Sequence, residues 1–170
     1  HFSSGTTSSG ASGKIVFQSG AATNGVAGEI MLSVGTSSTD IGGDVLLDSG
    51  DSAVKTGGFV SLSSGSGVAT TSGYISLYSP NAGTAGVSGG LNFYTGTTSA
   101  GTSGMVAIYT GSATAGKGGM VSLSVGSGNT GTGGDIIMTA GETTADSVVG
   151  GSVNLVAGAG TSNTAAKGGH

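Results

Sequence analysis

The feature that most restricts this chain is a tandem repeat of about fifteen residues. Aligned on one glycine per unit, the repeats begin at Gly13, Gly28, Gly43, Gly58, Gly73, Gly89, Gly104, Gly119, Gly134, Gly151 and Gly169. Most steps are fifteen residues, one is sixteen, and the last two are seventeen and eighteen. Two residues past the anchor stands a branched apolar side chain, as in Ile15, Val45, Ile75, Val106 and Ile136. Four past comes a second large one, as in Phe17, Leu47, Leu77, Ile108 and Met138. Six past, the residue shrinks to Ser, Thr, Ala or Val, and seven past is glycine in every complete repeat except at Pro80.

Alternation with period two predicts a strand with one buried face. The closing glycine predicts a turn at positive φ, which glycine adopts without steric cost. Dense glycine, frequent β-branching and the lack of a 3.6-residue period disfavour helix. One strand per short, fixed repeat predicts an all-β fold, a parallel β-solenoid with about fifteen residues per coil. The expected object is thin and flattened because the inward column runs large, large, small. It has roughly ten to eleven coils and uncapped ends, and reads as one segment, 1–170, sliced from a longer repetitive chain. Its rungs would lay Val106 over Leu91 and Tyr109 over Tyr94, at about 4.8 Å per coil.

Composition narrows the function. Glycine numbers 38 of 170 residues and charged residues make up only 7%, so the low-hydrophobicity, high-charge route to disorder is weak. The net charge is −4, and the four basic residues, Lys14, Lys55, Lys117 and Lys167, are scattered. A nucleic-acid surface needs clustered cations against phosphates, so no nucleic-acid partner is expected. No apolar run is long enough to span a bilayer, and no membrane insertion is expected. Without cysteine there are no disulfides or thiolate metal sites. None of the six asparagines lies in an N-x-[ST] sequon, whereas the many Ser and Thr hydroxyls offer acceptors for O-linked glycans.

Catalytic chemistry finds no footing. A Ser-His-Asp arrangement needs a positioned histidine, and His1 and His170 are both terminal; they read as a tag remnant or boundary rather than a metal site. Asp44, Asp48 and Asp51 raise the thought of calcium, but the calcium-solenoid pattern G-G-x-G-x-D-x-U-x does not recur. They read as a solvated outer face. Lys14, Glu29 and Asp44 share one column, where charges would set register. No enzyme activity, metal or cofactor is expected.

The outward face carries the more pointed signal. Five past the anchor stand Tyr78, Tyr94 and Tyr109 in successive repeats. One past it stand Phe59, Tyr74, Met105 and Met120, interrupted by Gly90. Contiguous exposed apolar surface marks interaction sites, so these seven residues form a candidate lateral interface. The expected partner is a copy of the same chain or a neighbouring solenoid, met laterally or end to end.

The unit G-G-x-[VI]-x-[LF]-x-[ST]-G-[ST], as in "TGGFVSLSSGSG" and "KGGMVSLSVGSG", resembles the Gly/Ser/Thr-rich tandem repeats of extracellular fibrous and cell-surface proteins. The resemblance covers the whole chain and implies a structural role outside the cell or at its surface, as a filament, fibre or stalk. Adhesin and phage-fibre shafts share such a rod. Ice-binding solenoids are similar in coil length and neutrality, but they display Thr-x-Thr ranks that the outward strand positions here lack.

Overall fold

The fifteen-residue period survives in the backbone as an alternation of arms and bent loops. The computed structural model describes residues 2–161 and 169. Across them one bend recurs per repeat, at 8–10, 23–25, 38–40, 53–55 and 68–70, then at 84–85, 99–101, 114–116, 129–132 and 145–147. Each falls a few residues before the next anchor glycine. Between the bends run the arms, such as 43–49 and 58–64, which carry the apolar columns.

The expected all-β fold, a parallel β-solenoid of ten to eleven thin, flattened coils, is overturned. Among the described residues there is no helix and no β-strand, and the chain is mostly coil. The repeats close on themselves instead of onto their neighbours. Gly58 N–H donates to the Gly50 carbonyl at 2.8 Å, and Gly73 to Gly65 at 2.9 Å. Gly151 donates to Gly141 at 2.9 Å and Gly169 to Gly158 at 2.8 Å. A solenoid ladder needs a partner one full repeat away, whereas these bonds span the shorter distance from a closing glycine to the next anchor. Shorter loops cost less entropy to close.

The same pinch explains the anchor glycine. At each of these closures the small residue six past one anchor packs over the next anchor. A Cβ added to Gly58 would lie 3.2 Å from the Ser49 Cβ and 3.3 Å from the Gly50 nitrogen. At Gly43 and Gly134 it would lie 2.7 and 2.8 Å from the Cγ1 atoms of Val34 and Val125. At Gly43, Gly58, Gly73, Gly104, Gly119 and Gly134 the anchor is therefore glycine because another side chain crowds the space of its Cβ. The closing glycine behaves differently from expectation: among these positions only Gly5 has positive φ, at 81°. The other left-handed residues, Gly10, Gly101, Gly131, Ala115 and Ser147, lie in the loops instead. Chain reversal is thus made at the bends, and a Cβ added to closing glycines such as Gly50 and Gly65 meets nothing within 4 Å.

The chain divides into two units, His1–Pro80 and Asn81–His170. The boundary falls at Pro80, where the closing glycine of the repeat is replaced. The loop that follows has its own short turn, with Gly86 N–H donating to the Gly83 carbonyl at 3.4 Å.

Candidate lateral interface

Hydroxyl groups reinforce the pinches. Ser19 Oγ donates to the Gly28 carbonyl at 2.7 Å, Ser49 to Gly58 at 3.1 Å and Ser64 to Gly73 at 2.9 Å. Thr95 and Thr110 reach Gly104 and Gly119 in the same way, at 3.3 and 3.4 Å. Each donor stands six past its anchor, and each acceptor is the next anchor, nine residues on. Inside the loops, the backbone N–H groups of Asp40 and Lys55 donate to Ser37 and Ser52 Oγ, both at 3.0 Å. These are local side chain-to-backbone bonds of the kind that compete with regular secondary structure. The loops therefore satisfy much of their polar chemistry without a neighbouring repeat.

The arms are in the opposite condition. No described residue is buried. The column six past the anchor is the most sheltered, with Ser19, Ser79 and Ala140 half-buried. The column two past follows: Ile136 is 48% exposed while its neighbour Ile137 is 80% exposed. That contrast preserves the period-two alternation, so the arms do have two faces. The total accessible surface is 16846 Å². A folded monomer of this mass exposes about 7,300 Å², and a fully unfolded chain about 22,800 Å².

The seven residues of the expected interface all stand in solvent. Phe59, Tyr74 and Tyr78 lie in the first unit, and Tyr94, Met105, Tyr109 and Met120 in the second. Tyr78 is the least exposed of them, at 77%. Each is displayed rather than packed. The aspartates considered for calcium are likewise exposed, and among the described residues no group of three or more His, Cys, Asp or Glu side chains could hold a metal ion. Lys167 and both histidines lie outside the described residues. No cavity forms among the described residues, and they contain no helix long and apolar enough to cross a membrane.

Sequence reasoning missed the hydroxyl pinch. Its signal was present: wherever Ser or Thr stands six past an anchor, the next anchor glycine stands nine residues further on, or ten after Ser79. The small residue was read as a taper of the inward column, when its role is to reach a carbonyl. Neither a family model, nor a curated protein, nor a solved structure matches the chain.

Proposed function

We propose that this chain is a non-enzymatic structural module of an extracellular filament, fibre or surface stalk, and that its apolar arms are completed by other copies of itself. The observation that carries the reading is the absence of any buried residue among those described, in a chain that is 35% hydrophobic. Apolar surface in water drives association in proportion to its area. The total surface, polar and apolar together, exceeds that of an ordinary folded monomer by about 9,500 Å², against roughly 1,600 Å² for a standard protein interface. The exposed Tyr and Met columns suit such contacts, because aromatic residues and Met are enriched at interface cores. The extracellular setting rests on the Gly/Ser/Thr-rich repeat and its resemblance to fibrous surface proteins.

Sedimentation velocity across a concentration series, with electron microscopy of the same samples, tests this. The expected result is concentration-dependent growth into elongated particles, with a matching fall in the fluorescence of a dye that reports exposed apolar surface. A chain that stays monomeric at hundreds of micromolar overturns the reading.

A further inference from the structure

Self-association leaves open how two copies align, and the outward columns restrict the answer. The pinch makes the arms comparable despite unequal repeat lengths. Gly58 and Gly50 are eight residues apart, Gly151 and Gly141 ten, and Gly169 and Gly158 eleven, yet all three pairs close at 2.8–2.9 Å. Extra residues are thus taken up in the loops, and every arm presents the same sequence of columns. Two copies lying parallel can then match column to column at zero displacement or at a displacement of any whole number of repeats.

Within each unit charge separates zero displacement from a shift, and aromatic pairing separates one repeat from two, where Tyr94 would face Ser124 and Asp44 would face Tyr74. At zero displacement in the first unit, Lys14, Glu29, Asp44 and Asp48 each meet their own copy, and like charges directly opposite one another destabilise side-by-side chains. In the second unit, Asp135 meets itself. A shift of one repeat relieves most of this. Lys14 then faces Glu29 and Phe59 faces Tyr74, and the one remaining like-charge pair in these columns is Glu29 against Asp44. In the second unit Tyr94 faces Tyr109, Met105 faces Met120, and Asp135 faces Ser152. One aromatic pair is thus kept in each unit and the like-charge pairs fall from five to one, while Asp44 comes to face Phe59 and Met120 to face Asp135.

We propose that copies of this chain pair in parallel with a displacement of one repeat. The proposal rests on the self-association reading above and adds its geometry. In a displaced pair each outward residue meets the residue one repeat away on its partner rather than its own copy. Such a heterologous, non-closing interface generates a filament rather than a closed dimer.

The chain contains no cysteine, so engineered thiols report alignment cleanly. Ser124 and Thr139 both stand five past their anchors, in adjacent repeats of the second unit. Chains carrying Ser124→Cys and chains carrying Thr139→Cys are mixed under assembly conditions and oxidised, and assembly is followed in parallel by sedimentation. Disulfide-linked heterodimers at least about tenfold more abundant than either homodimer are expected. Predominant homodimers would overturn the displacement and leave self-association standing. Assembly without either cross-link would also overturn it, as a reversed alignment sets columns five and one together. No assembly at all would remove both readings. As a second measurement, Lys14→Glu should raise the critical concentration about fivefold under the displaced alignment. Zero displacement predicts no rise, since one like-charge pair merely replaces another.

Discussion

The loops and the arms of this chain solve the same folding problem in opposite ways. The loop closed by Gly65 and Gly73 holds a backbone bond, a Ser64 hydroxyl bond to the same anchor, and a glycine at Gly67 whose added Cβ would meet the Thr71 carbonyl oxygen at 2.5 Å. The arm that follows, 73–79, carries Ile75 and Leu77, and neither is buried. Polar closure is local and is completed within one repeat. Apolar burial needs a second surface, which a single repeat does not contain. A chain can therefore be ordered in its hydrogen-bonded part and unfinished in its hydrophobic part.

Four variants and one control would break or sharpen that contrast. The largest effect is expected from Met105→Asp combined with Tyr109→Asp, both in the outward columns. Charges placed in an apolar contact cost several kcal/mol without a partner, so the critical concentration for assembly should rise by about 100-fold or more. The amide signals of the 111–119 loop should stay in place, and NMR with sedimentation reads both. If the loop signals collapse together with assembly, arms and loops are not separable.

Gly67→Ala comes next and attacks a loop alone. The new Cβ meets backbone rather than a movable side-chain end, so the loop must open, at a cost of about 1–3 kcal/mol by analogy with overpacking. Hydrogen exchange at the Gly73 amide should accelerate by roughly tenfold or more. Gly65→Ala, where nothing lies within 4 Å of the added Cβ, is the control and should leave exchange unchanged. Equal effects from the two variants would show that the pinch at Gly67 is not tight.

Tyr94→Ser tests the arms more gently. Loss of an aromatic contact of about 0.5–1.5 kcal/mol beyond its area should raise the critical concentration by roughly tenfold and leave Gly104 exchange untouched. Unchanged assembly would remove Tyr94 from the interface. The smallest effect belongs to Ser64→Ala. A net hydrogen bond of about 1 kcal/mol, reduced here by solvent exposure, predicts up to about fivefold faster exchange at Gly73. The backbone bond to Gly65 should persist, and assembly should not change.

Much of the local design was legible in the residues. The anchors, the apolar columns two and four past them, and the small residue six past can be read by alignment, and the exposure contrast between Ile136 and Ile137 follows that pattern. Two steps were misread. The closing glycines were assigned positive φ, which only Gly5 among them adopts; at the others, such as Gly50 and Gly65, an added Cβ meets nothing within 4 Å. Stacking of one repeat on the next was inferred from periodicity, but a period states only that each repeat does the same thing. It does not say whether that thing is done to a neighbour or within the repeat. The displayed surface of Phe59, Tyr74, Tyr78, Tyr94, Met105, Tyr109 and Met120 was visible as a set of columns, although nothing in the chain alone states what covers it.

By itself, the order of residues determined the period, the two faces of each arm and the scarcity of charge, because these are properties of neighbours along the chain. Only the tertiary structure decided which glycines meet. It brings Gly58 to Gly50 across eight residues, so each repeat shuts on itself and leaves its apolar arms in water. The physical reason is that closing a short loop costs little entropy and wins a hydrogen bond at once. Burying two large side chains per repeat is a reward that waits for a second surface.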